Sequence, residues 1–202
     1  FYIINSLAGF GFLIMFLMNV DVLYLSYFYD LKVLGLYSSV LLFGRMIYYV
    51  VTSLVTVMLP MISKNKDDDK YTNKILYQTI LYTAILIVIF LIPVNLFSKN
   101  IINLIFGSKY LLAVSYVKYT SLICVSYSLN IIILNYLVGI NKLDFIKRTL
   151  ILGSLVTFIL IIIFSKMKNL IFVIISLVNM LIFAVNLYKI KINEKVRNSD
   201  GK

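Results

Sequence analysis

The chain is built from long apolar runs separated by short polar connections. Several runs reach the length of about 20 residues that a helix needs to cross a bilayer. Stretches such as ILIVIFLI do not alternate in polarity, as a strand of a membrane β-barrel would. The pattern therefore predicts an all-α, integral membrane, six-helix bundle over 1–188 with a basic tail over 189–202. The predicted spans are 2–28, 35–60, 75–97, 113–138, 149–165 and 169–188.

A shorter apolar stripe lies between the third and fourth spans, in the stretch INLIFGSKYLLAV. Ile101, Ile102, Ile105 and Phe106 recur at helical spacing. Gly107 follows them, and glycine is the preferred residue just beyond the end of a helix. We therefore expect a short helix lying at the membrane interface, ending near Gly107.

The composition is typical of a membrane protein, and it limits the kinds of metal site and cross-link that the chain can form. Hydrophobic residues make up 62% and charged residues 13%, whereas soluble domains are about one quarter charged. Histidine is absent and Cys124 is the only cysteine, which excludes a disulfide framework and a cysteine-based metal site. The run Asp67–Lys70 (DDDK) has the residue type that holds magnesium against phosphates. It is a single cluster followed by lysine, so a solvated turn is the favoured interpretation. We expect no metal, no cofactor and no enzyme activity.

The basic residues in the connections predict an orientation. The segments 61–74, 139–148 and 189–202 carry twelve Lys and Arg, and the connections on the other side carry five. By the positive-inside rule the richer side faces the cytoplasm. We therefore expect a plasma-membrane protein with both chain ends cytoplasmic. This distribution also explains the net charge of +11 without nucleic acid as a partner.

One carboxylate interrupts the first span, in FLMNVDVLYLSYFYD. If the turn after this span runs from Asp30 to Gly35, Asp21 and Arg45 both lie about 14–15 Å below it, at 1.5 Å per residue. A charge at the bilayer centre costs at least about 3 kcal/mol, so such residues usually pair or face water. We predict that Asp21 pairs with Arg45, either as a buried structural pair or as a pair facing a cavity.

The second span carries a polar row with a spacing of seven residues, extended by one further turn and flanked by tyrosines. Its members are Ser38, Arg45, Thr52 and Thr56, with Tyr48 and Tyr49 beside them. Such a face suits a helix that lines an aqueous cavity, although Ser and Thr also serve helix–helix packing. In the fourth span, Lys118 is either a second cavity residue or a side chain that reaches back to the membrane surface.

Three stretches resemble a known family: NVDVLYLSYFYDLKVLGLYSSVLLFGRM, VTVMLPMISK and LIFGSKYLLAV. The first contains an Asp followed by a Gly-x-Tyr that opens the next helix. The order and spacing of the three resemble the second half of bacterial polysaccharide flippases, the O-antigen and capsule exporters of the multidrug/oligosaccharidyl-lipid/polysaccharide exporter superfamily. The resemblance covers nearly all of the chain. Since Phe1 is not an initiator methionine, we expect the chain to begin inside a longer protein.

The resemblance implies a protein about twice as long, in which two helix bundles enclose a central cavity. The partners would then be the missing N-terminal half, the lipid bilayer and a polyprenyl-diphosphate-linked oligosaccharide. This lipid would be moved from the cytoplasmic to the outer leaflet by alternating access. Family members carry basic residues in the cavity, and Arg45 and Lys118 are the positions here that fit that role. Asp21 would neutralise Arg45 in the empty cavity or bind a coupling cation.

Three other functions remain open. A drug exporter of the same superfamily would favour an acidic cavity for cations, whereas Asp21 is the single acidic residue within the spans. A membrane enzyme of polysaccharide assembly would need a sizeable loop or an acid–base cluster, and the longest internal connection has about fourteen residues. A membrane scaffold without transport activity would not need polar helix faces.

Overall fold

The computed structural model describes residues 2–200, with side chains for 12–142 and 147–192. Helices make up nearly all of this described part, which confirms the all-α prediction. In chain order they are α1 (Tyr2–Phe28), α2 (Leu31–Lys64), α3 (Asp69–Leu96), α4 (Ser98–Phe106), a 3-10 helix (Ser108–Ala113), α5 (Val114–Gly139), α6 (Leu143–Ile163) and α7 (Lys168–Asp200). The final residues of the predicted tail, 201–202, lie outside the described residues.

Several helices are suited to a bilayer. Among the described residues, four stretches are long and apolar enough to cross a membrane: Leu31–Lys64, Asp69–Leu96, Ser108–Gly139 and Lys168–Ile192. The segment Phe12–Phe28 of α1 is a shorter apolar stretch. These helices indicate a multi-pass membrane protein. The count of six spans and the role of this bundle as half of a transporter stay predictions.

Two helix boundaries differ from the sequence prediction in ways that matter. α2 begins at Leu31 rather than at residue 35, because Asp30 is extended (φ −65°, ψ 153°) and ends the turn immediately after α1. Gly35 therefore lies inside α2. At the other end of the chain, α7 does not end at residue 188 but continues to Asp200. Ile190 is buried, so the packing of α7 extends into the segment predicted as a tail.

The short helix predicted before Gly107 is present as α4, from Ser98 to Phe106, and its location at the membrane interface stays a prediction. Gly107 follows it with φ +81°, a backbone conformation that residues with a side chain rarely adopt. Its N–H donates to the carbonyl of Asn103 at 3.0 Å and closes the last turn. The chain then turns through the 3-10 helix into α5.

The helix α5 forms the centre of the bundle, packed most extensively against α2 and α7. Two glycines allow α2 and α5 to approach closely. A Cβ added at Gly44 of α2 would lie 2.6 Å from Sγ of Cys124, and one added at Gly139 of α5 would lie 2.7 Å from Ile62. At each of these two points the backbone of one helix therefore lies directly against a side chain of the other.

Five aromatic rings join four helices at the end of the bundle that the charge distribution predicts to be outer. This aromatic cluster comprises Tyr24, Tyr37, Tyr116, Tyr119 and Phe172. Phe172 stacks on Tyr37 with ring centroids 4.9 Å apart and planes within 7°. The hydroxyl of Tyr24 donates to the carbonyl oxygen of Ser165 at 2.8 Å. The cluster thus brings the α1–α2 turn, the start of α5 and the α6–α7 turn together.

Candidate functional site

Asp21 lies in the core of the bundle with Tyr37 as its hydrogen-bond partner. Both side chains are fully buried. The hydroxyl of Tyr37 donates to Oδ2 of Asp21, whereas Oδ1 has no hydrogen-bond partner among the described residues. Tyr37 is the tyrosine of the Gly-x-Tyr stretch. The two parts of the first resembling stretch, its Asp and its Gly-x-Tyr, are therefore in direct contact.

Arg45 is half-buried and takes a different partner from the one predicted. Its guanidinium donates to Oδ1 of Asn19 at 2.8 Å, and the Asn19 amide donates to the carbonyl of Met15 at 2.9 Å. The described side chains contain no ion pair between Asp21 and Arg45. The predicted direct pair is therefore replaced by two separate hydrogen bonds, one to Tyr37 and one to Asn19.

The early start of α2 explains this difference. Asp21 lies seven residues before the end of α1, and Tyr37 lies six residues after the start of α2. At 1.5 Å per residue both are about 10 Å from the turn, whereas Arg45 is about 21 Å from it. The sequence argument placed the turn's end at Gly35, four residues too late. The predicted turn also began at Asp30, two residues after α1 ends, so the two errors together underestimated the offset between Asp21 and Arg45 along the helices by about 9 Å.

Arg45 lines a cavity of about 110 Å³ enclosed by α1, α2 and α5. The walls are formed by Met18, Asn19, Leu41, Arg45, Tyr48, Tyr49, Cys124 and Tyr127. We call this space the Arg45 cavity. Tyr127 is only 6% exposed, and its hydroxyl has no hydrogen-bond partner among the described residues. The lining thus offers a guanidinium, an amide and phenols, and it includes no carboxylate.

The predicted polar row on α2 only partly reaches this cavity. Tyr49 lines it, whereas Ser38, Thr52 and Thr56 do not. The hydroxyl of Thr52 donates to the Tyr48 carbonyl at 2.8 Å, and that of Thr56 to the Thr52 carbonyl at 2.9 Å. Hydroxyls bonded to their own helix mainly satisfy the backbone. Of the predicted row and its two flanking tyrosines, Arg45, Tyr48 and Tyr49 therefore line the cavity.

Lys118 lies elsewhere, in a second pocket of about 460 Å³ at the predicted outer end. We call it the outer pocket; it is lined by Asn95, Ser98, Val114, Ser115, Tyr116, Val117, Lys118, Tyr119, Lys168 and Asn169. Lys118 precedes the cavity residue Cys124 by six residues, which places it about 9 Å closer to the start of α5. The structure therefore does not bring Lys118 and Arg45 into one site.

The acidic run has a structural use in the turn before α3. The side chain of Asp68 accepts a hydrogen bond from the backbone N–H of Tyr71 at 3.0 Å and caps the helix. A carboxylate at this position also interacts favourably with the positive end of the helix dipole.

Sequence reasoning missed four residues that the structure places at these sites: Asn19, Tyr37, Tyr127 and Lys168. Tyr37 could have been found from the sequence, because it is the last residue of the Gly-x-Tyr stretch that follows Asp21. Asn19 was also visible as a polar residue next to Asp21 in an apolar run. Tyr127 and Lys168 carried no local signal, because their role depends on which helices become neighbours.

The comparisons with known proteins agree with the membrane architecture. A family profile described as polysaccharide biosynthesis protein matches residues 1–115, which is more than half of the chain and includes Asp21, Tyr37 and Arg45. Searches of curated proteins and of solved structures give no match. On the strength of this profile match, the chain belongs to a family of polysaccharide biosynthesis proteins.

Proposed function

We propose that this chain is part of a transporter that flips polyprenyl-diphosphate-linked oligosaccharide across the membrane for surface polysaccharide synthesis. The proposal rests on the location of Arg45 and on its hydrogen-bond partner. The guanidinium lines a cavity within the bundle, and its hydrogen-bond partner there is a neutral amide. The buried carboxylate is bound to Tyr37 instead. A positive charge is therefore held inside a membrane bundle without an ion-pair partner among the described residues, which favours an anionic ligand.

The charged diphosphate group is the part of this substrate that is hardest to move across the bilayer. A charged group that leaves water for hydrocarbon without a partner costs many kcal/mol. A guanidinium grips phosphate with two parallel hydrogen bonds in a fixed planar geometry. Tyr127 also lines the cavity, and its hydroxyl, which has no hydrogen-bond partner among the described residues, would donate a further hydrogen bond to a bound phosphate. These groups suit a phosphate better than a cationic drug.

The size of the Arg45 cavity limits what enters it. Water occupies about 30 Å³ per molecule in the liquid, so 110 Å³ corresponds to roughly four waters. This volume accommodates a phosphate group but not a sugar chain. We infer that the oligosaccharide occupies a larger chamber between this bundle and a second one supplied by the N-terminal half, while the lipid tail stays in the bilayer.

The direction of transport follows from the predicted orientation. With both ends cytoplasmic in a bacterial plasma membrane, the substrate is collected at the inner leaflet and released at the outer one. Two bundles that rock about a central site would expose the Arg45 cavity to each side in turn. Orientation and the second bundle are parts of this proposal.

Substitution of Arg45 in the full-length protein tests the proposal. Arg45→Ala should abolish export and cause the lipid-linked precursor to accumulate on the cytoplasmic face, with the protein's membrane abundance unchanged. Arg45→Lys should restore export only in part, because an ammonium cannot bind a diphosphate bidentately. Arg148→Ala is the matched control, since it removes an exposed arginine that lies outside the cavity.

The same assay separates the rival functions. Export at the wild-type rate by Arg45→Ala would show that Arg45 does not bind the substrate. If deletion of the gene leaves the surface glycan normal but increases drug sensitivity, the protein is a drug exporter. If the lipid-linked precursor is chemically incomplete rather than accumulated, the protein acts as an enzyme of assembly.

A further inference from the structure

The outer pocket has a positively charged lining, which suits a second anion-binding site. Lys118 and Lys168 both line it, and none of its lining residues carries a carboxylate. The two lysines come from different helices, at the start of α5 and the start of α7. At about 460 Å³, the pocket is roughly four times the volume of the Arg45 cavity.

Lys168 is held in position by aromatic groups rather than by an acid. Its Nζ donates to the hydroxyl of Tyr116 at 2.7 Å. The same ammonium lies 5.1 Å from the ring centroid of Tyr116 and 5.4 Å from that of Tyr29. Cation–π contacts of this kind orient an ammonium without neutralising its charge. Lys168 is therefore fixed in position and still able to attract an anion.

Lys118 supplies the second charge from the exposed side of the pocket. Its Nζ lies 4.9 Å from the ring centroid of Tyr119, which leaves the ammonium accessible to solvent. Amide and hydroxyl groups of Asn95, Ser115 and Asn169 complete the polar lining. The start of α7 adds the positive end of a helix dipole next to Lys168. An anion with several oxygens would satisfy both ammonium groups at once.

We propose that the outer pocket binds a phosphate or diphosphate group through Lys118 and Lys168. The choice of a lipid-linked diphosphate as its ligand rests on the proposed function, whereas the anion site itself does not. In that setting, the pocket receives the diphosphate after it leaves the Arg45 cavity, nearer the predicted outer surface. Free phosphate or pyrophosphate carries the same charged group, and it is the other ligand that this pocket would bind.

Calorimetric titration of the purified full-length protein in detergent tests the site with two probes, inorganic pyrophosphate and farnesyl diphosphate. Lys118→Gln and Lys168→Gln should each weaken binding roughly tenfold, equivalent to about 1.4 kcal/mol. Lys109→Gln is the control, because it removes an exposed lysine at the same end of the bundle that does not line the pocket. Lys118 is exposed, so its substitution leaves the packing of the bundle intact even where Lys168→Gln does not.

The outcomes separate this inference from the proposed function. Tighter binding of farnesyl diphosphate than of pyrophosphate assigns a lipid-linked ligand, and equal binding assigns free phosphate. Binding that survives Arg45→Ala places the ligand in the outer pocket even if the export proposal fails. Binding that is unchanged by both lysine substitutions, or no binding of either probe to the wild-type protein, would overturn the inference.

Discussion

The contact between Asp21 and Tyr37 makes a quantitative prediction about stability. Tyr37→Phe keeps the ring that stacks on Phe172 and removes the hydroxyl that binds the buried carboxylate. Both oxygens of Asp21 are then left without a partner, since Oδ1 already has none among the described residues. A buried polar group left without a hydrogen-bond partner costs about 1–3 kcal/mol, so we expect the free energy of unfolding to fall by about that amount.

Two further variants check this loss of stability: one substitutes Asp21 alone, and the other substitutes both Asp21 and Tyr37. Asp21→Leu leaves the buried Tyr37 hydroxyl without a hydrogen-bond partner. It should lower the free energy of unfolding by about 1–3 kcal/mol. The double variant Asp21→Leu/Tyr37→Phe removes both polar groups, and replacing a buried polar pair by apolar groups of similar size is often neutral. The double variant should therefore be more stable than either single one, with a coupling energy of roughly 2 kcal/mol.

Denaturant unfolding in detergent, followed by far-ultraviolet circular dichroism, compares the wild-type protein with these three variants. Single-variant losses that simply add in the double variant would refute the reasoning, as would a Tyr37→Phe variant as stable as wild type. Export measured alongside separates packing from function. A stable double variant that no longer exports would show that Asp21 has a role in transport in addition to its contact with Tyr37.

Two further predictions follow from packing and from charge. Gly44→Ala should destabilise the protein by about 1–3 kcal/mol, because the new methyl group would meet Cys124 Sγ at 2.6 Å. Gly35→Ala, with nothing within 4 Å, should stabilise α2 by up to about 1 kcal/mol in the same unfolding assay. In a Cys124→Ser background, a cysteine at Lys109 should be labelled from outside intact cells and one at Lys66 should not. The opposite labelling pattern would reverse the predicted orientation.

The apolar pattern was enough to locate the helices but not to set their ends. The described helices overlap all six predicted segments, because apolar runs of this length have few alternatives to a helix. The ends depend on weaker local signals. Gly35 was interpreted as the end of a turn, but the helix includes it, because Tyr29 and Asp30 complete the turn. Errors of four residues at the start of α2 and two at the end of α1 were enough to place Arg45, rather than Tyr37, at the predicted level of Asp21.

The sites were harder to predict than the helices, for a physical reason. Periodicity shows which residues share a face of one helix, but a cavity is formed by faces of several helices. Arg45 and Tyr49 were found because they lie on one face of α2. Tyr127 belongs to α5, and Lys168 meets Tyr116 across 52 residues of sequence. These pairings depend on the packing of α5 against α2 and α7, which no single segment encodes.

The close approach of α2 and α5 has a mechanical consequence. Gly44 meets Cys124 within the bundle, and Ile62 meets Gly139 where both helices end. Along α2 these points are 18 residues apart, about 27 Å, which nearly equals the thickness of the hydrocarbon core of a bilayer. Close-packed helices transmit displacement instead of absorbing it. We therefore expect a displacement of α2 near Arg45 to be passed to α5 along this length, because the two helices are closely packed.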